Sequence, residues 1–80
     1  MNIGEAVKER ILELCRERDI SINRLCSMSG VTQSTVNNII SGRNRSATVS
    51  TIKKLCDGLG ITMEDFFHSP LFWNLEQEIQ

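Results

Sequence analysis

Residues 33–41, QSTVNNIIS, carry a run of uncharged polar side chains without a lysine or a glutamate. If this segment is helical, a step of ~100° per residue gathers most of these side chains on one exposed arc. Glutamine and asparagine can each form paired hydrogen bonds with the N6 and N7 edge of adenine. The arc is therefore interpreted as a surface that recognises hydrogen-bonding groups, and the alternative is a helix that is polar only toward solvent. Its members are Gln33, Ser34, Asn37, Asn38 and Ser41.

Charge is segregated along the chain, although the formal net charge is only -1. Residues 1–19 carry four basic and five acidic side chains, and residues 57–80 carry five acids without a lysine or an arginine. The segment between them has five basic side chains and no acid. A basic segment of this kind gives one face of a small domain a potential suited to phosphate. Its basic residues are Arg24, Arg43, Arg45, Lys53 and Lys54.

The size and composition of the chain limit the class of protein to which it can belong. Eighty residues suffice for one small domain, and 40% hydrophobic with 24% charged residues is typical of a folded globular protein. No apolar run approaches the ~18 residues of a membrane span, and the N-terminal residues lack the apolar core of a signal peptide. We therefore expect a cytoplasmic protein that makes no contact with a membrane.

Reactive side chains are few and scattered. The three cysteines, Cys15, Cys26 and Cys56, are widely spaced, and the single histidine, His68, lies near the end of the domain. This spacing predicts buried free thiols rather than a disulfide or a zinc site. There is no phosphate-binding glycine loop and no nucleophile motif, so we expect neither an enzyme nor a bound metal or cofactor.

Apolar periodicity and capping residues predict an all-α fold of five helices. The first runs from Ile3 to about Arg18, with its charged residues, including Arg10 and Glu13, paired on a solvated surface. The second follows Ser21 and ends at Gly30, and the third spans 33–41 between Thr32 and Gly42. The fourth follows Thr48 and ends at Gly58 or Gly60. Thr62 and Asp65 form a capping box that opens a short fifth helix.

Buried positions follow from the same periodicity. The helices form one domain over residues 1–68, followed by an apolar and acidic tail over 69–80. The predicted core comprises Val7, Ile11, Leu14, Leu25, Cys26, Val36, Ile39, Ile52, Leu55, Leu59 and Phe66.

The segment 21–41 combines a short helix, a glycine turn and a second helix that must cross at a steep angle. Gly30 supplies the turn, and Cys26 is a small residue where the two helices approach each other. With the five-helix outline and the phrases GVTQSTVNNIISG and LCDGLGITMEDFF, this segment resembles the lambda-repressor-like helix-turn-helix family of Cro and cI-type regulators. The resemblance covers about residues 3–67. Ile22 departs from it, since many members have a phosphate-contacting glutamine there.

The resemblance implies a regulator of transcription, expected to be a repressor, that binds a specific sequence of double-stranded DNA. The helix 33–41 would enter the major groove and contact bases through Gln33, Ser34, Asn37 and Asn38. Contacts with the phosphate backbone would come from the following loop and from the second and third helices; whether Lys53 or Lys54 joins them is left open. The expected phosphate-binding residues are Arg24, Thr32, Arg43, Asn44 and Arg45.

The tail places four large apolar residues within five positions, Leu71, Phe72, Trp73 and Leu75. So dense an apolar cluster should be buried, either against Leu12 of the first helix or against a second copy of the chain. We expect a homodimer formed through the fifth helix and the tail.

The alternative function is a protein-interaction module of helix-turn-helix shape, or an antitoxin component that binds a partner protein.

Overall fold

The computed structural model describes residues 1–42 and 47–79. Arg43, Asn44 and Arg45, three of the predicted phosphate-binding residues, lie outside the described residues. Where it is described, the chain is all α-helical and has no strand, as the sequence predicts. It forms five helices and one 3₁₀ turn: α1 (Ile3–Arg18), α2 (Ile22–Ser29), α3 (Gln33–Ser41), α4 (Val49–Leu59), α5 (Met63–Phe67) and the turn Pro70–Phe72.

The helix ends confirm the capping residues chosen from the sequence. Ser21, Thr32, Thr48 and Thr62 each accept a hydrogen bond from the backbone N–H three residues later, and Thr62 forms the predicted box with Asp65. Gly60, rather than Gly58, terminates α4. A second capping box, formed by Asn2 and Glu5 at the start of α1, was not predicted.

The turn between α2 and α3 depends on Gly30. This residue has φ of +68°, a left-handed conformation that is costly for a residue with a side chain. Its backbone N–H donates to the carbonyl of Cys26, and this hydrogen bond ends α2. Val31 follows Gly30 in the turn. The chain can therefore reverse into α3 over three residues, and this sharp turn fixes the angle at which α3 leaves α2.

All predicted core residues are buried, and they form a single cluster. Ala6, Cys15 and Cys56 are buried as well. α2 and α4 pack most extensively on each other, and they meet at Gly58. A Cβ atom at this position would lie 2.3 Å from Ser29 Oγ and 2.9 Å from Ser29 Cα. The close approach of α2 to α4 thus requires a residue without a side chain.

Arg10 corrects the expectation of a solvated, self-paired face on α1. It does pair with Glu13, but only 9% of the residue is exposed. Its Nε donates to the carbonyl of Phe66 at 2.7 Å, and its Nη2 donates to the carbonyl of Asp65 at 2.8 Å. The last carbonyls of a helix lack intrahelical donors, so the guanidinium completes the end of α5. Arg10 therefore connects α1 to α5.

The tail packs on the domain only in part. The Phe72 ring lies 5.0 Å from that of Phe67 and 6.3 Å from that of Phe66, and the 3₁₀ turn contacts α1. Further along, the Glu76 backbone N–H donates to the Met1 carbonyl. Leu71, Phe72 and Leu75 are half-buried, as is Leu12 of α1. Trp73 is not buried within one chain, since 74% of it is exposed.

Candidate nucleic-acid interface

The core holds α3 in one rotational setting. Val36 and Ile39 are buried on one side of this helix. Gln33, Ser34 and Asn37 are exposed, and Asn38 is half-buried beside them. The burial pattern therefore places the predicted base-contacting side chains away from the core, as the ~100° step per residue requires. Because α3 is fixed by buried aliphatic side chains, these amides and hydroxyls are presented on a rigid element.

Thr32 organises the first turn of α3. Its Oγ1 accepts from the Thr35 backbone N–H at 3.3 Å and lies 2.8 Å from the Thr35 hydroxyl and 3.4 Å from that of Ser34. The remaining first-turn N–H groups have no partner within the helix. The N-terminus of α3 thus offers backbone donors immediately beside Gln33, which is exposed.

The first turns of the helices differ in charge. α1 has Glu5 in its first turn and α5 has Glu64 and Asp65, whereas α2, α3 and α4 have no acid there. A helix N-terminus carries a partial positive charge that attracts anions unless a carboxylate offsets it. The helices of the helix-turn-helix segment and α4 therefore keep N-termini that are favourable for phosphate.

A shallow depression separates the exposed surfaces of α2 and α3. Asn23, Cys26 and Ser27 line it from α2, and Thr32 and Gln33 line it from the start of α3, with Gly30 and Val31 at the turn between them. Asn23 and Ser27 were not identified as candidates from the sequence. Their i, i+4 spacing on the exposed side of α2 is the signal that could have identified them.

Two residues at the start of α2 have different roles. Arg24 is exposed, and its backbone N–H donates to Ser21 Oγ at 3.0 Å. Its side chain is therefore attached to a capped first turn of α2. Ile22 is half-buried and packs against the core. At this position, where many members of the resembled family carry glutamine, this chain has a packing residue instead of a polar contact.

The two lysines of α4 are both exposed, but their charges are not equivalent. Lys53 Nζ forms a hydrogen-bonded ion pair with Asp57. This hydrogen bond and the charge of the carboxylate raise the pKa of Lys53 above its ordinary value. Asp57 therefore offsets part of the positive potential that Lys53 could present to DNA, and Lys54 is the better candidate of the two.

The three cysteines are free and buried, as the sequence predicts. Burial raises the pKa of the Cys15, Cys26 and Cys56 thiols, which keeps them protonated and poorly reactive at neutral pH. Over residues 1–42 and 47–79, no group of three or more histidine, cysteine or acidic side chains is placed to hold a metal ion. None of the described helices is both long and apolar enough to cross a membrane.

Comparison with known proteins assigns the chain to a family. Residues 10–69 match the family described as "Cro/C1-type HTH DNA-binding domain". The structure is similar to the crystal structure of the prophage Lp1 protein 11, with a TM-score of 0.81 and 39% sequence identity. The similarity covers 94% of this chain and 100% of the prophage chain. A search of curated proteins gives no match.

Proposed function

The chain belongs to the family of Cro/C1-type helix-turn-helix DNA-binding domains, which implies DNA binding, and we propose that it is a sequence-specific regulator of transcription. In this proposal α3 lies in the major groove of double-stranded DNA, and the bound domain represses transcription by occupying the site. Its place of action is the cytoplasm of the cell whose DNA it binds.

The exposed, uncharged face of α3 carries this proposal. Gln33, Ser34 and Asn37 offer hydrogen-bond donors and acceptors, and no charged side chain on α3 competes with them. Asn38 lies half-buried at the edge of this face. Amide side chains pair best with adenine, so the preferred site contains A·T pairs beneath α3. In this proposal neutral side chains of α3 supply the sequence specificity, and contacts with the phosphate backbone supply most of the affinity.

Phosphate contacts are proposed at the flanks of α3. Among the described residues, the exposure of Arg24 and of Thr32 at the start of α3 supports this proposal, and the sequence adds Arg43, Asn44 and Arg45. Such contacts orient the domain on the duplex and are insensitive to base sequence. Arg24 is exposed, and the N-termini of α2 and α3 carry no acid that would repel a phosphate.

Selection of bound sites from random duplex DNA tests the function directly. We expect enrichment of one motif that contains A·T pairs, and binding of the selected duplex should weaken steeply between low and moderate salt. Recovery of no motif, together with no salt-dependent binding, would contradict the proposal. A reporter gene placed behind the selected site should lose expression when the protein is produced, and a rise in expression would contradict repression.

We also propose that two copies bind DNA together through α5 and the tail. Trp73 and Ile79 are 74% and 84% exposed, and Phe67 is exposed next to the half-buried Phe72. A symmetric copy would remove these apolar groups from water, and a twofold dimer suits an operator made of two half-sites. Leu71 and Leu75, also half-buried, extend the same apolar surface.

The exposed tail also supports the second candidate, a module that binds a partner protein, as an antitoxin binds its toxin. Trp73 is a large aromatic group of the kind that anchors protein interfaces. Salt separates the two functions, because binding through several phosphates weakens steeply as salt rises, whereas an apolar protein contact is nearly insensitive. Binding of a partner protein that persists unchanged at high salt, without salt-dependent binding of any duplex DNA, would favour the second candidate.

A further inference from the structure

A cleft outside the predicted recognition residues separates the start of α1 from the end of α3. Lys8 lines it from α1 together with Asn2 and Glu5, and Ser41 and Gly42 line it from the end of α3. Ser41 lies one helical turn beyond Asn37, on the same stripe of α3, and it is exposed. The cleft therefore borders the far end of the surface proposed to contact bases.

Lys8 forms no ion pair within the described part of the protein. Glu5 lies three residues before Lys8 on α1, but it closes the capping box by accepting from the Asn2 backbone N–H. The ion pairs among residues 1–42 and 47–79 are Met1 with Glu76, Arg10 with Glu13, and Lys53 with Asp57. Lys8 thus places a cation beside α3 whose partner is not found in the described residues.

We propose that Lys8 binds a phosphate of the DNA backbone at the C-terminal end of α3; this inference rests on the proposed function. The major groove is ~12 Å wide and has a phosphate backbone along each edge. A helix in the groove therefore has phosphates beside it, and a side chain next to its end can reach one. Lys8 is half-buried at this cleft, and a lysine at such a position can pack its stem on the domain while its flexible charged end reaches solvent.

The test compares salt dependence between charge variants on the selected duplex. Lys8→Gln removes the charge and keeps most of the stem, so the slope of log affinity against log salt should become shallower by about 0.9. Binding should weaken to selected and random duplexes alike, because a phosphate contact carries no base preference. Lys8→Arg should retain the wild-type slope. Arg16→Gln, two helical turns further along α1, is the matched control and should also retain it.

A purely structural role gives a different pattern. If Lys8 only offsets the carbonyl dipoles at the end of α3, Lys8→Gln lowers the melting temperature and leaves the salt slope unchanged, which overturns the inference. Should Lys8→Gln fail to fold, the wild-type protein supplies the answer through chemical acetylation read by mass spectrometry. Bound duplex should reduce acetylation of Lys8 several-fold, and equal acetylation with and without DNA overturns the inference.

The two proposals fail in distinguishable ways. Wild-type protein that shows no salt-dependent affinity for any duplex contradicts the proposed function, and the inference about Lys8 falls with it. Wild-type protein that binds with a steep salt slope, combined with an unaltered slope for Lys8→Gln, contradicts only the inference about Lys8.

Discussion

Gln33 and Asn37 are the exposed amides of α3, and each is expected to contact a base edge. Replacing either by alanine should cost ~1 to 3 kcal/mol on the preferred duplex and relax discrimination at one or two base pairs. Nonspecific affinity should change little, because no phosphate contact is lost. Titrations of selected and random duplexes measure both effects. The random duplex is the internal control, because its affinity should stay near the wild-type value.

Arg43, which the sequence assigns to phosphate binding, should affect all duplexes rather than the preferred one alone. Arg43→Ala should weaken binding to all duplexes alike and reduce the salt slope by about one unit, because one phosphate loses its counter-charge. Titrations at several salt concentrations measure the slope. If both Gln33→Ala and Arg43→Ala leave specific binding unaltered, the recognition surface has been assigned to the wrong part of the molecule.

The buried thiols make stability depend on pH at the alkaline end. Burial raises the pKa of Cys15, Cys26 and Cys56 above the ordinary value of 9.0, so the folded chain holds these protons more tightly than the unfolded chain. Their contribution to stability is complete below pH 9.0 and is lost as the pH rises through the folded pKa values. Urea denaturation at pH 8 and pH 10 should show a lower free energy of unfolding at pH 10. Cys26→Ala should reduce this difference.

Arg10 is a buried cation whose partners are mostly carbonyl groups. Arg10→Met keeps the apolar stem but removes the donors to Phe66 and Asp65, and we expect it to cost about 2 to 3 kcal/mol of unfolding free energy. Thermal and urea denaturation measure the loss. Arg16→Met, at an exposed position of the same helix, should be nearly neutral, and an equally small effect of Arg10→Met would contradict the structural role of Arg10.

The packing of α2 on α4 sets the position of the helix-turn-helix segment, and Gly58 permits it. Alanine at 58 improves helix propensity by ~1 kcal/mol, but its Cβ lies 2.9 Å from Ser29 Cα and 3.0 Å from the carbonyl carbon of Met28. Backbone atoms cannot rotate away, so α2 must shift, and overpacking of this kind costs ~1 to 3 kcal/mol. The clash should outweigh the propensity gain.

We therefore expect Gly58→Ala to lower the melting temperature and to weaken specific DNA binding, because α3 follows α2. Ser29→Ala alone should be neutral or slightly stabilising, since the Ser29 hydroxyl is buried without a hydrogen-bond partner. Combined with Gly58→Ala, it should restore part of the stability by removing the oxygen 2.3 Å from the new Cβ. A Gly58→Ala variant as stable as the wild type would show that the two helices are less tightly fixed.

At the scale of the whole molecule, the segments proposed to bind DNA and to dimerise carry opposite charges, so salt should affect the two kinds of binding in opposite directions. The segment 57–80 carries five acids and no lysine or arginine, so a symmetric dimer through α5 and the tail brings like charges together. Salt screens this repulsion and also weakens phosphate contacts. Dimer affinity should therefore rise with salt while DNA affinity falls. Analytical ultracentrifugation and duplex titration over the same salt series measure the two trends.

Trp73→Ala should weaken the dimer and preserve the fold, because Trp73 is exposed within one chain. Deletion of residues 70–80 should give a monomer, but it also removes the packing of Phe72 on Phe66 and Phe67, so Trp73→Ala is the cleaner variant. A solution mass of one chain for the wild type at every protein and salt concentration would contradict dimerisation.

The helices, most of their capping residues and the core could be predicted from the sequence. Each depends on local rules: apolar residues recur at helical spacing, Ser21, Thr32, Thr48 and Thr62 cap the backbone N–H three residues later, and Gly30 supplies a left-handed turn. The exposed polar arc of α3 was also readable, because the ~100° step fixes which side chains share a face once Val36 and Ile39 are assigned to the core.

Contacts between residues of different helices could not be predicted from the sequence. Arg10 was expected in solvent because its pairing with Glu13 is visible in the sequence, whereas its bonds to Phe66 and Asp65 span more than fifty positions. Hydrophobicity alone predicted burial of Trp73, but Phe72 packs on Phe66 and Phe67, whereas Trp73 is exposed within one chain. Likewise, Lys8 lies beside the end of α3 only because α1 folds against it. The periodicity of a helix determines which of its side chains share a face, whereas packing between helices determines which residues of different helices are in contact.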